Sequence, residues 1–140
     1  MKNIFLFIFV FLILTSCKEK SISNSTNQDP YELWQSNNIH NYSVYQKRSC
    51  FCPDAGQLMK ITVRSDTVYS VTRVSDNDKV VHPYYFSIDS LFEIIRNSVD
   101  DSLVIKYNSK YGFPEYLDIN PQLHPVDGGV LYETSNLIIQ

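Results

Sequence analysis

One long stretch of this 140-residue chain repeats its apolar side chains at helical spacing: Ile88, Leu91, Phe92, Ile95 and Val99. With about 3.6 residues per turn these fall on a single stripe, so residues 87–99 are expected as an amphipathic helix with Glu93, Arg96 and Asn97 turned to water. Ser87 or Ser90 would cap it, and Ser90 with Glu93 would form a capping box. Much of the surrounding chain alternates with a period of two. Met59, Ile61 and Val63 interleave with Lys60, Thr62 and Arg64, and Leu103, Ile105 and Tyr107 share one face of residues 102–107. Such segments read as half-buried strands. A helix stripe set among alternating strands needs a sheet face to cover, which restricts the chain to an α+β fold.

The remaining elements follow from turn and cap signals. Asp29-Pro30-Tyr31-Glu32 marks a helix start, with Asp29 as N-cap, Pro30 at the first position and Glu32 reaching back; Leu33 and Trp34 supply the apolar side of a short helix ending near Asn38. Residues 40–52 look extended, Pro53-Asp54-Ala55-Gly56 is a turn, and strands are expected at 58–65, 68–74, 102–107, 116–120 and 130–139. Tyr111-Gly112-Phe113-Pro114 is read as a turn. The order is α-β-β-β-α-β-β-β. It implies a mostly antiparallel sheet of five to six strands, the first three a meander, with one main helix on one face.

Composition narrows the function classes. Aromatic residues at 14% exclude a wholly disordered chain. Twelve basic against fifteen acidic side chains give a net charge of −3, which offers no electrostatic footprint for nucleic acid. Four glycines leave no glycine-rich nucleotide loop, and no nucleophile elbow, phosphate-binding loop or His-Glu-x-x-His stretch occurs. No catalytic residue is therefore assigned, no cofactor is expected, and a binding or structural role is favoured over an enzymatic one.

The amino end carries an address. Met1-Lys2 is followed by an unbroken apolar run over residues 4–14. Crossing a bilayer takes about 20 such residues, whereas the hydrophobic region of a signal peptide takes about 7–15. Leu14-Thr15-Ser16-Cys17 resembles the bacterial lipobox. The resemblance implies that residues 1–16 are a signal peptide and that Cys17 accepts a diacylglyceryl group. Acyl chains, palmitate among them, would then hold the protein on a membrane, since two or more chains anchor firmly where one does not. Lys18 stands where an inner-membrane retention signal would have Asp, so the outer membrane is expected, on its periplasmic or surface face. Residues 17–28 are polar and read as lipidated Cys and flexible tether, and residues 29–140 as one domain.

Cys50-Phe51-Cys52 is the most unusual remaining feature. In a strand both sulfurs would lie on one side, with Cα atoms about 6.6 Å apart, at the upper edge of disulfide geometry. A disulfide would need a kink, which Pro53 favours by ending the strand. Two free thiols, a redox pair, or a metal site completed by two of His40, His82 and His124 remain alternatives. No His pair has helical ligand spacing, and no metal is assigned. Tyr84-Tyr85-Phe86 and Tyr107, Tyr111 and Tyr116 are either half-buried sheet neighbours or the lining of a groove.

Trp34, Asn41-Tyr42, Arg48-x-Cys50-Phe51-Cys52-Pro53, Ser87-Ile88-Asp89-x-Leu91-Phe92, Tyr107 and Gly112-Phe113-Pro114 occur in an order similar to that of a family of small bacterial lipoproteins, the domain of unknown function 6174. The resemblance covers nearly the whole domain. It implies an envelope location and an α+β fold, and no established activity. Its signature residues read as architecture: Trp34 as helix anchor, Gly112 for positive φ, Pro114 to fix a turn. The resulting expectation is a lipid-anchored envelope protein that binds or supports another envelope component or ligand. A thiol-redox or metal-binding role at Cys50 and Cys52 is the alternative.

Overall fold

A computed structural model describes residues 28–81, 84–126 and 128–140. Its elements in chain order are α1 (Pro30–Ser36), β1 (Tyr42–Ser49), β2 (Leu58–Arg64), β3 (Thr67–Arg73), α2 (Ile88–Asn97), β4 (Leu103–Tyr107), β5 (Pro114–Ile119), a 3₁₀ segment (Pro121–Val126) and β6 (Val130–Ile139). The fold is α+β. The six strands form one antiparallel sheet in the order β3-β2-β1-β6-β5-β4. It consists of two three-stranded meanders, β1–β3 and β4–β6, and the seam between them is β6 paired with β1.

Alternation places the core on one face. Val71, Ile61 and Val44 stand in register across β3, β2 and β1, and Tyr132, Leu117 and Ile105 continue the apolar face across β6, β5 and β4. Both helices pack there. Trp34 of α1 joins Tyr42, Val44, Met59 and Ile61, while Leu91 of α2 meets Leu117 and Tyr132. Ile88 and Phe92 of α2 belong to the first cluster, and Ile95 bridges the two.

Three local expectations need correction. Val99 does not extend the helix stripe: α2 ends at Asn97, with Ser98 as its cap, and Val99 is 84% exposed. The capping box is not Ser90 with Glu93. Ser87 is the N-cap; its Oγ accepts the Ser90 N–H at 3.1 Å, and the two hydroxyls bond each other at 3.0 Å. Pro114 does not sit within a turn. It opens β5, fully buried, opposite Tyr107 across a bulge, a position where a strand tolerates proline because the ladder has only begun.

The start of α2 is tied to β1 by one phenol. Tyr42 is fully buried, and its Oη accepts the Ile88 N–H at 2.8 Å, satisfying one of the donors that every helix start leaves over. Tyr42→Phe keeps the ring and orphans that donor, so it is expected to cost about 1–3 kcal/mol in urea unfolding. Burial, aided by the Asp89 and Asp66 carboxylates and opposed by the Ile88 bond, holds the phenol well above its ordinary pKa of 10.0. A raised folded-state pKa means stability that is complete below pH 10 and lost as pH rises beyond it. The native protein should therefore weaken above pH 10, and Tyr42→Phe should weaken less steeply over the same range.

Candidate functional sites

The β1–β2 connection carries the cysteine pair. β1 stops at Ser49, the chain bends, and Cys50 and Cys52 are joined as a disulfide across the single residue Phe51, with Cα atoms 5.3 Å apart. The bend brings them closer than an extended strand would. Phe51 is 82% exposed at the tip, and both cysteines are half-buried. The loop is also closed by backbone. The Gly56 N–H bonds the Arg48 carbonyl at 2.7 Å, and the Ala55 N–H bonds the Cys52 carbonyl at 3.3 Å. Closing a ring this short removes little chain entropy, about 1.6 kcal/mol on the loop-closure relation.

Arg48 lies just inside this loop. It is 4% exposed, donates from Nη2 to the Pro53 carbonyl at 3.2 Å, and sits 4.5 Å from the Tyr84 ring centroid. Tyr132 packs nearby; burial raises its phenol pKa, and the Arg48 charge opposes that rise. Arg48 and Gln46 follow Tyr42 and Val44 on the core face of β1, and both are buried. Gln46 donates to Thr134 Oγ1 at 3.2 Å and accepts the Phe86 N–H at 3.1 Å, fixing the segment that leads into α2. Arg48 stands in the sequence motif with Cys50 and Cys52, whereas Gln46 carries no motif, and its long polar side chain continuing an apolar alternation is the available signal.

A second region lies between α1 and α2. A cleft of about 310 Å³ is lined in part by Tyr31, His40, Asp66, Asp89, Glu93 and Arg96. Asp89 Oδ1 accepts from Trp34 Nε1 at 3.1 Å and from Gln35 Nε2 at 2.9 Å. Its place in the first turn of α2 suits a carboxylate, since helix amides point toward it. His40 Nδ1 contacts both Asp66 carboxylate oxygens, at 3.0 and 2.9 Å, and Arg96 stacks 4.6 Å from the Tyr31 ring centroid. The cleft is therefore polar, of mixed charge, and built largely from groups that already pair with one another.

On the opposite sheet face Asp118 is buried, accepting from the Tyr116 hydroxyl at 3.2 Å and meeting His124 Nε2 at 2.7 Å. Burial, and then the bond to Asp118, raises the Tyr116 pKa. His40 and His124 are thus separated, each beside its own carboxylate, and His82 lies outside the described residues. Among the described residues no three His, Cys, Asp or Glu side chains come close enough to hold a metal ion.

The tyrosines are dispersed and do not line one groove. Tyr84 and Tyr85 flank Arg48, Tyr107 stacks on Phe92 with 6.1 Å between ring centroids, Tyr111 packs at the core edge, and Tyr116 lies across the sheet beside Lys106. Trp34 is 2% exposed and edge-on to Tyr42 and Phe113. Gly112 has φ of +82° and abuts α1. Cys17, with the expected signal peptide over residues 1–16 and all but the last residue of the expected tether over residues 17–28, lies outside the described residues, and among those described no helix is long and apolar enough to cross a membrane.

Comparison with known proteins gives a single assignment. The model of the Family of unknown function (DUF6174) matches residues 27–139, a span that takes in both helices and all six strands. No curated protein and no solved structure matches the chain.

Proposed function

We propose that this chain, which belongs to the DUF6174 family of unknown function, is a lipid-anchored bacterial envelope protein whose one domain is a binding module rather than an enzyme. The observation that carries the anchor is Leu14-Thr15-Ser16-Cys17, placed directly after an apolar run too short to span a bilayer and ahead of a polar stretch. The first described helix is α1, whose N-cap is Asp29, and the residues between Cys17 and that cap would serve as tether. Anchoring would be to the outer membrane, on its periplasmic or surface face. Binding is supported by the polar cleft between α1 and α2 and by the tip at Phe51, where an apolar ring is left 82% exposed.

The test is Cys17→Ser. Native protein should incorporate radiolabelled palmitate and sediment with membranes. The variant should incorporate none and accumulate as the longer precursor. Palmitate-free native protein recovered from washed cytosol would overturn the reading.

A further inference from the structure

We propose that the Cys50–Cys52 disulfide is an exchange centre, which oxidises pairs of thiols in extended, apolar-flanked polypeptide segments through the exposed tip of the β1–β2 loop. Four observations converge on it. The bridge spans one residue, so it contributes little as a staple. It lies beyond the end of β1, and the loop it sits in is closed separately by the Gly56–Arg48 and Ala55–Cys52 backbone bonds, so opening the bridge breaks no strand pairing. Phe51, between the two sulfurs, is 82% exposed and offers an apolar contact to a client segment beside the reactive bond. The buried Arg48 guanidinium is bonded to the carbonyl of Pro53, the residue after Cys52, so the loop that carries the pair also holds a cation.

The chemistry balances in two steps. A client thiolate attacks one sulfur of the pair, forming a mixed disulfide and expelling the other cysteine as thiolate. The client's second thiolate then attacks its own sulfur in that mixed disulfide, giving the client disulfide and a second released thiolate. The client loses two electrons and two protons, and the pair gains both as two thiols. A further disulfide-bearing reactant, such as a low-molecular-weight disulfide, returns the pair to its oxidised form by the reverse exchange. The inference draws on the proposed envelope location only for a supply of unpaired protein thiols.

The experiment uses the full chain purified in detergent and a reduced synthetic peptide with two cysteines flanked by leucines, quenched by alkylation and read by mass spectrometry. One peptide disulfide should appear per Cys50–Cys52 pair reduced, about tenfold faster than with oxidised glutathione at equal concentration. Cys50→Ser/Cys52→Ser should abolish the reaction. Phe51→Ala should slow exchange with the peptide about fivefold and exchange with reduced glutathione far less, since only the peptide uses the ring. Circular dichroism of the reduced protein should retain the native sheet signal. Peptide oxidation no faster than with glutathione, equal effects of Phe51→Ala on both thiols, or collapse of the fold on reduction would each overturn the proposal. Because the assay needs no membrane, its failure leaves the lipid anchor standing, and absent palmitate leaves exchange untouched.

Discussion

Gly112→Ala is expected to lose about 4 kcal/mol of stability, a large part of the 5–15 kcal/mol that holds a domain of this size together. The backbone at Gly112 has φ of +82°, a conformation in which a Cβ costs about 1–2 kcal/mol by itself. That Cβ would also drive into the carbonyl oxygen of Pro30 and crowd the Trp34 amide and Leu33 Cβ. Those atoms belong to α1, so relief requires the helix to back away from the core. Gly56→Ala is the matched control: its φ is +76°, yet a Cβ there meets nothing within 4 Å. Urea midpoints should separate the two, with the second variant losing about 1 kcal/mol. Equal losses would mean that the approach of α1 to the β4–β5 turn contributes nothing.

Trp34→Ala should cost a similar amount, about 3–5 kcal/mol. The indole is buried, edge-on to Tyr42 at 5.5 Å and to Phe113 at 6.5 Å between ring centroids, and Nε1 donates to Asp89. It joins α1, β1, the β4–β5 turn and α2 at one point. Trp34→Phe retains much of the area and loses the hydrogen bond, so it should recover more than half of the deficit by thermal unfolding. Asp89→Asn keeps an acceptor for the indole and should leave the midpoint near that of the native protein.

The parts of the fold legible in the sequence are those written in local periodicity. Met59, Ile61 and Val63 alternate in the sequence and are all buried in β2, and Ile88, Leu91 and Phe92 mark the buried side of α2. Strand order left no local trace. Nothing in residues 130–139 says that they pair with β1 rather than lie at an edge, because register is settled by long-range contacts. Pro114 reads as a turn residue if the next strand starts at Tyr116, whereas β5 opens two residues earlier. Its fixed φ is equally at home at a strand's first position. Val99 fell in phase with the helix stripe, but the Ser98 cap ends the helix before phase matters.

Candidate sites were less legible for a related reason. The cysteines were conspicuous by rarity, and the kink that lets them bond could be anticipated from Pro53. The α1–α2 cleft could not, since Asp89 and Trp34 stand 55 positions apart and meet only through tertiary packing. The same holds for Gln46, whose partners at Phe86 and Thr134 lie 40 and 88 positions away.

The strand that joins the two meanders follows every other described element, and this sets an order of events. Until residues 130–139 are available, β1 and β5 both present raw hydrogen-bonding edges and the molecule stays in two unsealed halves. The described domain would therefore remain pliable until this strand has formed and lock only then. Pairing that spans so much of the chain also makes locking slow, which lengthens the interval in which both halves stay open.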